Sequence, residues 1–473
     1  MSSTASPKRG NSAGAIDWAE IERWDRAYYL HNVQAQSEYA FTGVERTDGN
    51  YIFLADGTRL LDFQSQLVSD SMGHRHPGAH DEIKAAMERY GHVFFGLATD
   101  YRARAAKIVI EDVLGGESSW AGRLRVLSSG TEGVECACAM ARLYTGRPIV
   151  LTQVHSFHGM TVGATQLRGY RGNISPGDHL DQVHDVPGFP TPGFIPIPAP
   201  EFHDWSGNEP LPSLVATEQI IQAVGPENIA GVITETMLGA AGYLPDDRYL
   251  PGLRELSKQY GFLWIDDEVM TGFGRLGKWF AYQGYDGLEP DLMVVGKSIN
   301  GCSLPVGGVV ANKPIAEYFD RGRWWSGSTH DGHALVCASI VGTLEAMMEL
   351  GVPERVEQLG RYLEGKLREL AERHPCIGRV GGRGLYYTLD MVNEAGEPVI
   401  AEDRFTGFSG DIASHPNNFI ARENAKRGLY LGGFVPNTIK VGPPFTITEE
   451  EIDFAMGVFD ESLSVFESEL SGA

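Results

Sequence analysis

One short stretch, Asp291–Lys297, constrains the fold of this chain more than any other. It reads Asp-Leu-Met-Val-Val-Gly-Lys, and the apolar run between Pro290 and Gly296 predicts a strand buried on both faces. Strands of that kind belong to parallel sheets covered by helices on both sides. This one ends in a lysine, which is costly at the end of a buried strand unless it is paired or used covalently.

Three interpretations of Lys297 stay open on this stretch alone. Its side chain could extend to solvent. It could end a phosphate-binding loop, because Gly296-Lys297-Ser298 matches the last three residues of that motif, but Asp291 stands where the motif needs its first glycine. It could also form a Schiff base with a carbonyl cofactor. The rest of the chain must decide between them.

The composition narrows the classes of partner. The 473 residues carry a formal charge of −23, which argues against nucleic acid and against anionic membranes. No apolar run reaches about 18 residues, so we predict no transmembrane helix. Cys136 and Cys138 would point to different faces of a predicted helix, which suits neither a disulfide nor a metal site. We therefore expect a cytoplasmic protein without a metal ion.

The order of predicted elements indicates an α/β fold. From residue 121, strands alternate with helices, as in a mostly parallel sheet wrapped by helices. The strands are predicted at 124–127, 148–153, 229–234, 262–265, 292–295 and 306–311, with helices at 132–144 and 248–260 and a long loop at 171–212. Before them come a helix at 16–36, a hairpin at 50–55 and 59–63, and a helix at 78–90. After them come helices at 335–350 and 354–373, strands at 385–390 and 438–441, and a helix capped by Thr448.

These elements predict four parts of the chain. Residues 1–14 would be a disordered tail, since they lack an apolar core. Residues 15–75 would be an N-terminal segment that packs with a small domain. Residues 76–334 would form the large cofactor-binding domain, and residues 335–473 a smaller α+β domain.

Each predicted strand of the large domain ends in residues that can bind a ligand or take part in a reaction. These residues lie at the edge where open α/β sheets bind ligands. Ser129, Gly130 and Thr131 would bind a phosphate at a helix N-terminus, or merely cap that helix. The Phe157-His158 pair would cover a flat ring, or merely pack. Asp267, with Asp266 and Glu268 beside it, would face a protonated ring nitrogen, or cap the next helix. Together with Lys297 this is the set that pyridoxal phosphate requires of a protein.

The motifs of the chain resemble, in the same order, those of the class III (ω-type) pyridoxal-phosphate aminotransferases of fold type I. Gly73-His-Arg-His-Pro77 is similar to the family's GHxHP, and Ser129-Gly-Thr-Glu132 to its SG(S/T)E. Phe157-His-Gly159 is similar to (Y/F)HG, and Asp267–Arg275 to DEVxTGFGR, the most specific of these motifs. Thr329–His333 resembles TxxGH, and Pro443-Pro444 the late proline pair. The resemblance covers about residues 40–460.

The resemblance implies a role for each matching residue. Lys297 would form the Schiff base with pyridoxal 5'-phosphate, and Asp267 would pair with the pyridine nitrogen. Val269 and Phe157 would pack on the two ring faces, with His158 alongside. The remaining implied cofactor contacts are the phosphate ligands Ser129, Gly130 and Thr131, the ring neighbour Glu235, and Thr329, which would reach the phosphate of a neighbouring subunit. The family pattern thus implies a homodimer with shared sites, alone or within a tetramer.

The departures from the family concern the substrate. Related enzymes carry an arginine three residues before the proline pair, where it clamps a carboxylate, and this chain has Lys440. Ala240 stands where some members have a glutamate that shields the arginine, and Val68 where many have tryptophan. Thr236 replaces the proline after Glu235. We expect Val68, Ala240 and Lys440 to belong to the substrate pocket.

The sequence therefore predicts an aminotransferase (EC 2.6.1.-) that moves an amino group from a primary amine or ω-amino acid to a 2-oxo acid, pyruvate or 2-oxoglutarate. Three alternatives remain. The same scaffold could carry a lyase, racemase or aminomutase, because the cofactor motifs do not choose the reaction. A nucleotide hydrolase is disfavoured by Asp291, and a non-catalytic binding protein by the presence of Lys297 and Asp267.

Overall fold

A computed structural model describes the greater part of the chain. The described residues are 16–31, 36–167, 193–201, 205–207, 210–239, 242–322, 324, 326–399, 416–432 and 437–472. The predicted tail at 1–14, most of the predicted loop at 171–212 and the pocket residue Ala240 lie outside these ranges.

A seven-stranded sheet forms the centre of the fold. Its strands are β4 (Ala121–Leu127), β5 (Ile149–Gln153), β6 (Phe194–Ile197), β7 (Ile229–Thr234), β8 (Leu263–Asp267), β9 (Leu292–Gly296) and β10 (Gly307–Asn312). They lie in the order β4-β10-β9-β8-β7-β5-β6. Only β10 runs antiparallel to its neighbours among these pairings, so the prediction of a mostly parallel sheet is confirmed. β7 and β9 are buried along their whole length, as their unbroken apolar sequences require.

Helices lie against this sheet and in the parts of the chain before and after it. They are α1 (Trp18–Tyr28), α2 (Pro77–Arg89), α3 (Asp100–Lys107), α4 (Gly130–Thr145), α5 (Val162–Gln166), α6 (Pro212–Val224), α7 (Tyr249–Tyr260), α8 (Lys313–Arg321), α9 (Ala334–Leu350), α10 (Val352–Arg373), α11 (Pro416–Lys426) and α12 (Glu449–Gly472). α4 follows β4 directly, because the Ser129 side chain accepts from the Glu132 amide and caps the helix. Gly146 ends α4 in the left-handed conformation that favours glycine.

Two smaller sheets lie outside the central one. β1 (Val44–Asp48), β2 (Tyr51–Leu54) and β3 (Arg59–Asp62) are joined by β13 (Leu429–Tyr430), which pairs parallel with β3. β11 (Ile377–Arg383), β12 (Tyr386–Met391) and β14 (Thr438–Val441) form an antiparallel sheet of their own. The pairing of β3 with β13 joins the two ends of the chain, and the predicted domain boundaries stay a prediction.

α9 and α10 are two long helices of the C-terminal part, of 17 and 22 residues. Within the described ranges, no single helix is long and apolar enough to cross a membrane, and α9 with α10 pass that test only as a pair bent by 62°. Most of α9 is buried inside the protein, where Ile340, Val341 and Leu344 join the main core.

The structure corrects several sequence-based boundaries. The first helix ends at Tyr28, not near residue 36, because Tyr29 adopts an extended backbone. Strand β1 and helix α3, with the π-helical segment Ile108–Val113 that continues it, were not predicted. β1 has an exposed, charged sequence, Val-Glu-Arg-Thr-Asp, and therefore lacks the apolar pattern on which strand prediction depends.

Candidate active site

Lys297 lies directly after β9, in a short 3-10 turn that ends at Asn300. Its φ of 42° is in the left-handed region, and its side chain is half-buried. Burial lowers the pKa of the Lys297 ammonium, although nearby Cys302 and the carboxylates of Asp267 and Glu235 oppose that shift. A lysine with a lowered pKa is a better nucleophile and proton carrier, so the solvent-exposed interpretation of this residue is disfavoured.

Asp267 ends the neighbouring strand β8, where it pairs in register with Val294 of β9. Its Oδ1 accepts from the Val269 amide at 3.0 Å, and its Oδ2 lies 2.6 Å from Nδ1 of His158. Both side chains are buried, and His158 Nε2 has no hydrogen-bond partner among the described residues. Asp267 is thus held at the strand end by two donors.

Asp266 and Glu268, on either side of Asp267, bind elsewhere. Asp266 Oδ1 accepts from the Thr236 hydroxyl at 3.0 Å, which gives a role to the residue that replaces the family's proline. Glu268 accepts from the Tyr282 amide at 3.1 Å and from the Thr271 hydroxyl. Burial raises the pKa of Glu268 to about 7 and raises that of Asp266 well above its ordinary value. These two acids therefore do not compete with Asp267 for the ring nitrogen.

The Ser129–Thr131 turn is confined by close neighbours. A Cβ on Gly130 would lie 2.9 Å from a methyl group of Val269, and one on Gly307 only 1.9 Å from the Ser129 carbonyl oxygen. Ser129 itself is exposed, and the first amides of α4 begin beside it. The turn thus combines an exposed hydroxyl, a helix N-terminus and a close approach to the Val269 side chain, as a phosphate group would require.

Glu235 follows β7 and is buried. Its Oε1 accepts from the Phe157 amide and its Oε2 from the Gly239 amide, both at 2.8 Å. Burial raises the pKa of Glu235 to about 7, while the nearby His158 lowers it. The Phe157 ring is 42% exposed, and its backbone amide is fixed by Glu235.

Lys440 lies in β14, opposite Thr388 of β12, and is buried. Burial lowers the pKa of its ammonium to about 8, and the charge of Lys297 adds to that effect. Within the described part of the chain, no hydrogen bond or ion pair to this ammonium is formed. A buried cation without a partner is a receptor for an anion.

Val68 belongs to a single helical turn, Ser65–Val68, in which all four residues have positive φ, from 46° to 69°. Left-handed backbone costs roughly 1–2 kcal/mol per residue for side chains other than glycine. Val68 is buried against Gly442, two residues after Lys440, whereas Leu67 is 41% exposed. The structure therefore adds Leu67 to the candidate pocket residues. Thr329 is exposed, away from any described partner.

Two further functional candidates were not singled out from the sequence. Arg275, at the end of the DEVxTGFGR motif, is fully buried and donates to the carbonyls of Leu385 and Pro443 at 3.2 and 2.6 Å. Its guanidinium lies 4.5 Å from the centre of the Phe445 ring, and burial lowers its pKa to about 9. His74, in the GHxHP motif, lies between Asp62 and Asp70. The two acids that precede the motif, Asp62 and Asp70, were the signal that could have revealed it.

Three histidines, His92, His330 and His333, form another group, with ring nitrogens within 4.8 Å of one another. Nδ1 of His333 accepts from the Leu335 amide at 3.3 Å, so the neutral ring carries its proton on Nε2. A metal ion on Nε2 would have to displace that proton and break the helix cap. The cluster is therefore not a preformed metal site.

The residues present fit pyridoxal phosphate. The ring nitrogen needs a buried carboxylate, the aldehyde a lysine of lowered pKa, and the phosphate a helix N-terminus. Asp267, Lys297 and the Ser129–Thr131 turn supply these groups from adjoining strand ends. The unpartnered His158 Nε2 and the half-buried Val269 mark the space between them.

Comparison with known proteins identifies the family of the chain. The sequence profile described as "Aminotransferase class-III" matches residues 33–463. An S-selective transaminase from Arthrobacter sp. with alanine bound is 38% identical, with a TM-score of 0.90 over 96% of this chain and 99% of that one. A taurine:2-oxoglutarate aminotransferase from Bifidobacterium kashiwanohense, in complex with PLP and glutamate, is 28% identical, with a TM-score of 0.85 over 96% and 98%. Putrescine–pyruvate aminotransferase from Pseudomonas aeruginosa is 29% identical over 462 residues, 93% of this chain and 94% of that protein.

The family match covers most of the chain, and the solved structures share its fold nearly from end to end. The prediction of a pyridoxal-phosphate enzyme of the α/β, fold type I class is thereby confirmed. This chain belongs to the class III aminotransferases.

Proposed function

We propose that this aminotransferase takes the amino group of a primary amine and passes it to pyruvate at the site around Lys297. One observation carries the proposal: a lysine and a carboxylate stand at the ends of adjacent parallel strands, and a second, buried lysine, Lys440, lies close enough to Lys297 for the charge of Lys297 to lower the pKa of Lys440. The first pair serves the cofactor, and the second lysine serves an anionic substrate.

The choice of pyruvate over 2-oxoglutarate rests on Lys440 and on a similar solved structure. Lys440 supplies one positive charge, which suits the single carboxylate of pyruvate. The similar transaminase with alanine bound, the amino acid made from pyruvate, supports this choice.

Each residue has a definite task in the mechanism. Bound pyridoxal phosphate supplies an electron sink and carries the amino group between the two half-reactions. Lys297 Nζ removes the proton from the donor carbon and delivers it to the cofactor side of the site. Asp267, held by His158 and the Val269 amide, keeps a negative charge beside the ring nitrogen. Lys440 orients the carboxylate of the acceptor. Leu67 offers an exposed apolar surface, whereas Val68 is fully buried and supports the turn that carries Leu67.

We also propose a homodimer with shared sites. The aromatic side chains of Phe94 and Phe95 and the apolar Leu97 are exposed side by side, which suits an interface between copies of the chain. Thr329 is exposed and free to reach a second copy. The free state of the cysteines, among them the buried Cys136 and Cys138, favours the reducing cytoplasm. Sedimentation of the loaded enzyme would test the dimer.

The reaction type is tested with amine donor alone. A transaminase must convert its bound cofactor to pyridoxamine phosphate in one turnover and then stop. A lyase, racemase or aminomutase on this scaffold would form product while the cofactor spectrum returns to its starting state. Donor panels should include alkylamines, arylalkylamines, putrescine, GABA, β-alanine and taurine. Product without pyridoxamine phosphate for every donor would refute the proposal.

A further inference from the structure

The left-handed turn Ser65–Val68 is enclosed by a network centred on His74. Nε2 of His74 lies 3.0 Å from Oδ2 of Asp62, and Nδ1 lies 2.7 Å from Oδ2 of Asp70. Both ring nitrogens therefore face carboxylates, and both can donate only in the charged imidazolium. Asp62 precedes the turn and Asp70 follows it, so the imidazolium closes a loop around the turn.

The two ends of that loop also bind the turn directly. Asp62 accepts from the Gln64 amide at 3.1 Å and from the Gln66 side chain at 3.0 Å. The Asp70 amide donates to the Ser65 carbonyl at 2.9 Å. Removing the imidazolium would leave two buried or half-buried carboxylates without their shared cation, and the turn without its closure.

The turn is connected to the substrate side of the site. The Ser65 hydroxyl donates to the Gly442 carbonyl at 2.6 Å, and a Cβ on Gly442 would lie 2.9 Å from a methyl group of Val68. Gly442 follows Lys440 by two residues in the segment leaving β14. The position of Leu67 and Val68 relative to Lys440 is therefore set by the turn.

Left-handed backbone at Gln66, Leu67 and Val68 is intrinsically unfavourable, since none of them is glycine. Such conformations persist only where the surroundings determine them, and they concentrate at functional sites. We propose that His74, clamped between Asp62 and Asp70, is a positioning residue that fixes the apolar wall of the donor pocket and so limits the size of amine accepted. This inference rests on the proposed transaminase function and adds a determinant of its specificity.

The charge of His74 persists through the neutral range. Burial acts to lower its pKa, but the hydrogen bonds to Asp62 and Asp70 overcome that effect and raise it to about 9. The other titratable groups that interact with these two carboxylates are Arg275, Tyr430, His76 and Cys302. Below pH 9 the clamp is therefore intact, and above it the turn loses its cation.

The test compares His74→Gln with wild type on two neutral donors, isopropylamine and 1-phenylethylamine, with pyruvate as acceptor. We expect the ratio of kcat/KM to move about tenfold toward the bulky donor, the scale on which apolar pockets discriminate. Effects on proton transfer and on pyruvate binding are common to both donors and cancel in this ratio. His76→Gln is the matched control, because its ring caps α2 through the Gly78 amide and does not touch the turn.

A second variant distinguishes a specific change in the Ser65–Val68 turn from a general loss of structure. Gln66→Gly introduced into His74→Gln allows left-handed backbone without strain and should restore most of the wild-type ratio. A folded His74→Gln enzyme with the wild-type ratio would overturn the inference, as would a shift that Gln66→Gly leaves unchanged. Should His74→Gln fail to fold, the wild-type ratio itself, calculated on the concentrations of the unprotonated amines, should move toward the bulky donor as pH rises through about 9. A ratio that stays constant across that range counts against the clamp.

A measurement of stability distinguishes a failure of the His74 clamp from a failure of the proposed transaminase function. The pKa of His74 is raised from 6.5 to about 9, so its stabilising effect is complete below pH 6.5 and disappears as pH rises through 9. The urea midpoint of wild type should fall more than that of His74→Gln across this interval. This readout needs no substrate, so it holds even if no donor yields pyridoxamine phosphate. Equal falls in the two proteins would refute the clamp.

Discussion

Nδ1 of His158 lies 2.6 Å from Oδ2 of Asp267, and both side chains are buried at the end of β8. Nε2 of His158 has no hydrogen-bond partner in the described ranges. The carboxylate of Asp267 is thus held from two sides, by the His158 ring and by the Val269 amide. It remains available to a protonated ring nitrogen.

Replacement of Asp267 by asparagine should remove this charge with little change in shape. We expect weaker cofactor binding and a fall in kcat of about two orders of magnitude or more, the scale of a lost electrostatic contact in a reaction centre. Cofactor titration and single-turnover rates with amine donor measure the two effects. Asp286→Asn, at a surface acid, serves as the control, and near-normal turnover in Asp267→Asn would contradict the assignment.

Lys297→Ala should abolish the yellow, borohydride-sensitive absorbance of the purified enzyme and lower turnover by at least about 10²–10⁴-fold, the usual worth of a general acid–base group. The fold should survive, since the side chain is only half-buried and its ammonium carries a lowered pKa. Lys278→Ala, at an exposed lysine, is the control. Full activity in Lys297→Ala would exclude the proposed chemistry.

Lys440→Met should raise the KM for pyruvate about 10–100-fold, because a hydrogen bond to a charged group is worth about 1.5–3 kcal/mol. The single-turnover rate with a neutral amine donor should change much less. In wild type, pyruvate affinity should fall as pH rises through about 8, where Lys440 loses its proton. Lys440→Arg should retain acceptor binding, and an unchanged KM in the methionine variant would remove Lys440 from the site.

Asp266→Asn should change how stability depends on pH. The pKa values of Asp266 and Glu268 are raised on folding, that of Glu268 from 4.5 to about 7. Their protonation in the folded state therefore favours folding at low pH, and stability is lost as pH rises from about 4.5 through 7. Urea midpoints at pH 5 and pH 8 should differ less in Asp266→Asn than in wild type. If the urea midpoints at pH 5 and pH 8 differ as much in Asp266→Asn as in wild type, then Asp266 and Glu268 are not protonated in the folded state.

Gly307→Ala should lower cofactor affinity. Its Cβ would lie 1.9 Å from the Ser129 carbonyl oxygen, so the phosphate turn must move. Gly457→Ala in α12, where a Cβ meets no atom within 4 Å, is the matched control and should stabilise the helix by roughly 0.5–1 kcal/mol. Fluorescence titration with pyridoxal phosphate measures the cofactor affinity of both variants. Equal affinity in Gly307→Ala would mean that the turn does not hold the phosphate.

The cofactor half of the site was predictable because each of its residues ends a strand with a clear apolar pattern. Lys297 follows β9 and Asp267 ends β8, and parallel strands bring such ends to one edge. The substrate half was not predictable in shape. Gln66 and Val68 adopt left-handed backbone that their own propensities oppose. Tertiary contacts impose it, such as those of His74 with Asp62 and Asp70 and that of Ser65 with Gly442. Strand β1 was missed for the same kind of reason, since pairing with β2 determines it and its own sequence does not.

The two halves of the site come from different sheets. Lys297 and Asp267 end strands of the central sheet, whereas Lys440 lies in the sheet of β11, β12 and β14, and the turn at Ser65 follows the sheet of β3. Mutations that alter donor preference can therefore accumulate in the smaller sheets and in the turn at Ser65, while the central sheet preserves cofactor binding. A combinatorial library at the exposed positions Gln66 and Leu67 should keep most members loaded and folded, and evolution of this enzyme toward new amines would follow the same route.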